Sequence, residues 1–81
     1  MNRPAIHTIL RDELANPLRS WTDPGDETSL AELGAGPIDL IVISMAIEDE
    51  FDIVVHDHEV TAETTVGELC ALVAREVGKA I

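Results

Sequence analysis

Apolar residues recur at helical spacing in three stretches of this chain. Ile6, Ile9, Leu10 and Leu14 make one stripe and predict a first helix, opened by Pro4 and stopped by Asn16-Pro17. Leu40, Ile43, Ile47 and Phe51 fall within roughly 80° of one another on a helical wheel. They predict a second helix from Pro37 to Phe51, with Pro37 at the first helical position, where its missing N–H has no partner to lose. Val66, Leu69, Cys70, Val73 and Val77 predict a last helix entered through Thr64-Thr65, where Thr65 and Glu68 have the spacing of a capping box. A short helix is expected around Asp57 to Thr61. Strand signals are confined to Ile53, Val54 and Val55, too few to build a sheet. The long connection after the first helix carries an evident turn at Asp23-Pro24-Gly25-Asp26, and Trp21, Leu30 and Leu33 are its apolar points. These three are expected to pin it to the helices. The expected fold is all-α, a small four-helix bundle of three main helices and one short one, forming a single domain over residues 1–81. Its expected core includes Leu10, Leu33, Ile43, Ile47, Phe51, Val66, Leu69 and Val73.

The second helix carries more apolar surface than one buried face requires. Ile38, Ile41, Val42 and Met45 fall opposite the first stripe. Two readings follow. The helix is central and buried nearly all round, or the second stripe is exposed and meets a partner. Asp39, Glu48, Asp49 and Glu50 lie around and beyond that stripe as a polar rim would, which favours the second reading. The expected partner-binding residues are Ile38, Asp39, Ile41, Val42, Met45 and Glu48.

Composition narrows the kind of partner. The chain holds one Trp and one Phe among 46% hydrophobic residues, so its core must be built from Leu, Ile, Val and Ala. Sixteen acidic residues against five Lys and Arg give a net charge of −11. Such a field repels the phosphates of nucleic acid and anionic membrane surfaces, and favours protein partners with a basic or apolar docking surface. Cys70 stands alone, so no internal disulfide forms, and its place on the last helix's stripe reads as a small buried apolar residue. The longest apolar run, Ile38 to Ile47, is interrupted by Asp39 and Ser44 and is too short to span a bilayer. No basic stretch precedes an apolar one in the manner of a secretory signal, so a cytoplasmic location is expected.

Leu33-Gly34-Ala35-Gly36-Pro37-Ile38-Asp39, followed by Met45 to Ile53 with its Glu48-Asp49-Glu50-Phe51, resembles the second-helix region of acyl carrier proteins. The usual pattern there is Leu-Gly-x-Asp-Ser-Leu-Asp, an apolar stretch, then Glu-Glu-Glu-Phe. Thr64-Thr65-Val66-Gly67-Glu68-Leu69 resembles that family's entry to its last helix. The spacing between the blocks suits that family without a gap, and the resemblance covers about Pro4 to Val77. In the family, the serine of this motif is esterified to 4′-phosphopantetheine, whose thiol carries acyl groups. Pro37 stands at the matching position and Gly36 at that of the preceding Asp, so the resemblance implies a carrier scaffold with no hydroxyl to hold the arm. No cofactor is therefore expected. Where the family leads one to expect Glu on the docking face, this chain has Val42.

No other residue takes the serine's place. Ser44 lies two turns into the helix, Ser29 sits in a loop without the motif, and Cys70 is assigned to the core. His56-Asp57-His58-Glu59 has metal-ligand residue types, but its two histidines are two apart and only His7 remains elsewhere, so no metal is expected. No nucleophile and base, phosphate loop or basic patch argues for catalysis. The expected function is that of a degenerate acyl-carrier-protein-like protein, not an enzyme. It would bind proteins, or serve as an accessory subunit, in fatty-acid or polyketide-type acyl metabolism beside enzymes of acyl metabolism. A homodimer is a possible use of the same face. The alternative is an ordinary acyl carrier protein whose serine is lost in this chain by divergence or mutation.

Overall fold

A computed structural model describes residues 2–15 and 21–79. It contains three α-helices: α1 (Arg3–Leu14), α2 (Pro37–Phe51) and α3 (Val66–Lys79). Among the described residues there is no strand, and one isolated antiparallel bridge joins Ser29 to Thr65. The segment expected as a short helix over Asp57 to Thr61 is a single 3-10 turn, Asp57–Glu59.

Local chemistry explains where the helices begin and end. Ala15 leaves α1 in extended backbone. The Asn16-Pro17 pair expected to stop that helix lies outside the described residues. Gly36 precedes α2 in extended backbone, and Pro37 supplies the helical φ without sacrificing a hydrogen bond. Asp52 ends α2 in the left-handed region at φ 53°, a conformation Asp tolerates better than most side chains do, and its N–H donates to the Glu48 carbonyl. The capping box at α3 forms as read: Thr65 N–H donates to Glu68 Oε1 (2.9 Å) and Glu68 N–H to Thr65 Oγ1 (3.1 Å). A second pairing of the same type, Ser29 with Glu32, opens a turn that closes at Gly34, whose φ of 89° favours glycine.

The core is aliphatic. Ile6 and Leu10 of α1, Ile43 and Ile47 of α2, and Val66, Leu69 and Val73 of α3 are fully buried together with Leu30, and Leu72, Val55 and Val60 are nearly so. Two residues assigned to the core need correction. Leu33 and Phe51 are half-buried and pack against the core from its edge. Leu30 goes further inward than a loop anchor must, because main-chain bonds hold it there. Its N–H donates to the Thr64 carbonyl (2.9 Å), Ala31 N–H to Ala62 (2.8 Å) and Val66 N–H to Thr28 (2.9 Å). Trp21 is half-buried against the same core. Cys70 is also half-buried rather than interior. Burial pushes its thiol above the usual range, which leaves little thiolate at neutral pH. No helix among the described residues is long and apolar enough to cross a membrane.

Candidate functional site

The two apolar stripes of α2 have different fates. Ile43 and Ile47 point into the core between α1 and α3, while Ile38 is 75% exposed, Ile41 60%, Met45 57% and Val42 39%. The helix is therefore not buried all round. Val54, just past the end of α2, is 62% exposed, so the apolar surface does not stop with the helix. Val54 was missed in the sequence because it sat in a run of three β-branched residues that reads as a strand fragment, with nothing to say which way each side chain turns.

Grooves flank this face on both sides. A cleft of about 130 Å³ lies between α2 and the chain returning from it, walled by Leu40, Ile41 and Met45 against Val55 and Val60. A second groove, about 190 Å³, separates α2 from α1, with Val42, Ile43 and Ala46 facing Ile9, Asp12 and Glu13. The exposed ridge thus stands between two shallow, mostly apolar furrows, the first with Ser44 and Glu48 also in its lining and the second with Asp12 and Glu13 on its α1 wall.

The two acids assigned to the rim are each occupied within the protein. Asp39 Oδ2 accepts the Gly36 N–H (2.8 Å) and so caps the start of α2. Glu48 Oε2 accepts the Val55 N–H (3.0 Å) and so fastens the returning chain to the helix. Both are half-buried. Asp49 and Glu50 at the far end of α2 are the exposed acids instead. Asp49 lies one turn beyond Met45, in line with the apolar stripe.

Glu13 of α1 brings a second carboxyl to Asp39. A hydrogen bond to Asp39 holds Glu13 above the ordinary carboxylate range, while the Gly36 N–H and the same bond hold Asp39 below it. The shared proton therefore belongs to Glu13. For Glu13, whose folded value is raised, the stabilisation is complete below its unfolded value and disappears as pH rises through the folded one. As pH rises through the folded value of Glu13 the shared proton leaves, and two carboxylates face each other. Gln at position 13 donates to Asp39 at any pH. Glu13→Gln is thus expected to raise the melting temperature at about pH 7 and to leave it nearly unchanged at about pH 4. Thermal unfolding at the two pH values checks this. An equal change at both, or a loss at neutral pH, would remove the pairing.

The first turn of α2, from Pro37 to Leu40, contains no hydroxyl, and the N–H that precedes it is already taken by Asp39. The two serines weighed elsewhere are engaged locally. Ser44 Oγ donates to the Leu40 carbonyl (2.9 Å), and Ser29 Oγ accepts the Glu32 N–H (3.1 Å). The His56 and His58 rings stack with centroids 5.9 Å apart. The His56 N–H donates to Glu59, which also meets Arg75 of α3. Both contacts hold the Glu59 carboxyl below its usual range, the main-chain N–H more than the guanidinium. Glu59 therefore ties the 3-10 turn to α3. No group of three or more His, Cys, Asp or Glu among the described residues is arranged to hold a metal ion.

Residues 4–73 match a family model described as the phosphopantetheine attachment site. No curated protein and no solved structure gives a significant match to the chain.

Proposed function

This chain belongs to the phosphopantetheine attachment family, and on that premise we propose that it keeps the carrier scaffold without the arm. On this reading it is an accessory or partner-binding protein of fatty-acid or polyketide-type acyl metabolism, and not itself an enzyme. The observation that carries the reading is Pro37 at the first position of α2. In the alignment that the motif suggests, this is where the family's serine stands. The proline side chain is a ring of methylenes with no hydroxyl to esterify, so 4′-phosphopantetheine cannot be attached there. The first turn offers no substitute hydroxyl.

The partner surface is the ridge of Ile38, Ile41, Val42 and Met45. Its occupant is a protein that presents apolar side chains flanked by Lys or Arg. The apolar part answers the exposed stripe, and the basic part answers the net charge of −11 with Asp49 and Glu50 beside it. Nucleic acid and anionic lipid are disfavoured by the same charge. Asp39 and Glu48 act here through the backbone they hold rather than as free rim charges.

Intact mass after co-expression with a broad-specificity phosphopantetheinyl transferase tests the missing arm. The chain is expected to keep its unmodified mass, and a gain of one phosphopantetheine would overturn the reading. Pro37→Ser together with Gly36→Asp is expected to restore modification. A folded double variant that stays unmodified would show that the surface read by the transferase has been lost too.

A further inference from the structure

The cleft between α2 and the chain returning from it has a polar side. Ser44 and Glu48, one turn apart on α2, share its lining with the apolar walls. Both are half-buried. Glu48 is fastened through one oxygen only, Oε2, which accepts the Val55 N–H (3.0 Å). No ion pair among the described residues includes its charge. Ser44 has spent its one donor on the Leu40 carbonyl (2.9 Å), which leaves the lone pairs of its oxygen.

The side chains of this cleft therefore offer acceptors and no donor. Glu48 supplies Oε1, Ser44 supplies Oγ, and the Val55 N–H is already taken. An anion, or a ligand that accepts hydrogen bonds, meets nothing to bind it. A group that is positively charged and only donates is matched, and among protein side chains that means Lys and Arg. The walls suit the rest of such a side chain, because Ile41 and Met45 face Val55 and Val60 across the cleft and a methylene stem packs on apolar surface. A volume of about 130 Å³ falls below the roughly 300–1,000 Å³ of a small-molecule pocket and suits one long side chain. Arg reads a carboxylate best with its fork across both oxygens, and here one of them is committed. The compact ammonium of Lys needs only the other.

We propose that this cleft seats a lysine side chain of the docked protein, with the stem between the apolar walls and the ammonium on Glu48 Oε1 and Ser44 Oγ. The proposal rests on the reading of the α2 face as a docking surface. It adds one position to that reading: the partner's basic flank enters on the side of α2 that faces Val55, beside the ridge. Glu48 then has two tasks, since one oxygen holds the returning chain and the other meets the partner.

n-Butylammonium reproduces the stem and the charge and can be titrated into the isolated chain. NMR is expected to show the Val55 N–H and the methyl groups of Ile41 and Met45 shifting together, with a dissociation constant of roughly 1 mM. Ammonium chloride, n-butanol and butyrate lack the charge, the stem or the sign, and each should bind at least about tenfold more weakly. Glu48→Gln keeps an amide oxygen for the Val55 N–H and should lower the affinity for butylammonium about tenfold. Asp49→Asn removes an equal charge from the same helix outside the cleft and should leave it nearly unchanged. The titrations of the unaltered chain decide the matter should Glu48→Gln fail to fold. Shifts spread over the whole acidic surface, equal binding of n-butanol, or equal losses in the two variants would overturn the lysine seat and leave the ridge standing. If butylammonium occupies the cleft but Val42→Glu does not weaken association, the docked protein is overturned as the source of the lysine.

Discussion

Replacing Ile47 with Ala is expected to destabilise the protein by about 2–5 kcal/mol. Ile47 is fully buried in α2 and shares the core with Ile6, Leu10, Leu69 and Val73. The loss has two parts: the transfer of the removed carbons to water, and the cavity left where rigid neighbours fail to close in. Aliphatic side chains carried on three helices cannot all shift toward one vacancy. A domain of this size has roughly 5–15 kcal/mol of stability to lose, so a value at the upper end would leave it marginal. Ile41→Ala supplies the comparison within the same helix. Its side chain is 60% exposed, so its cost should stay near about 0.5 kcal/mol. Urea unfolding followed by circular dichroism measures both. A loss below about 1 kcal/mol at Ile47 would mean that the inner stripe of α2 has been placed on the wrong side.

The second large effect is on association. Val42→Glu and Met45→Glu are each expected to abolish partner binding while the melting temperature stays nearly constant. Truncating or charging a central apolar contact of an interface commonly costs 2 kcal/mol or more, about a thirtyfold loss of affinity. On the free protein, Met45→Glu places its charge in water from the start. Val42→Glu also faces Asp12 and Glu13 across the α1–α2 groove, so any small drop in its melting temperature should vanish at high salt. Salt also separates the two possible occupants of the face. Two copies carrying −11 each repel, so self-association through this ridge should strengthen as salt is added. Binding to a basic partner should weaken. Light scattering and titration calorimetry over a salt series read the difference. If either substitution unfolds the isolated protein, the outer stripe is core and the docking face fails with it.

Much of the helical plan was legible in the residues themselves. The bounds of α2 follow from Gly36-Pro37 at one end and the break after Phe51 at the other. The entry to α3 follows from Thr65 and Glu68. These are local matters, in which a few neighbouring side chains satisfy or deny backbone groups within one turn. The absence of a hydroxyl at the start of α2 is likewise a property of the residues in order.

Other features depended on partners distant in the chain. Periodicity placed two apolar stripes on α2 but could not rank them, because Ile38, Ile41 and Met45 are as apolar as Ile43 and Ile47. Burial is decided by where α1 and α3 lie. Leu30 became core because main-chain bonds draw its segment against residues 62–66, while Leu33 and Phe51 pack against the core from its edge. Asp39 and Glu48 read as free charges, since a carboxylate near an apolar stripe looks like a rim. Each instead took up an N–H that the folded chain would have left unpaired, at Gly36 and Val55. His7 gave no signal among its neighbours in sequence. Tertiary packing alone buried its Nε2 without a partner and brought Asp23 to 3.8 Å from its other nitrogen. Sequence determines the elements because helix formation and capping are satisfied locally. Tertiary structure alone decides which equivalent surface is covered and which polar group is left without a partner.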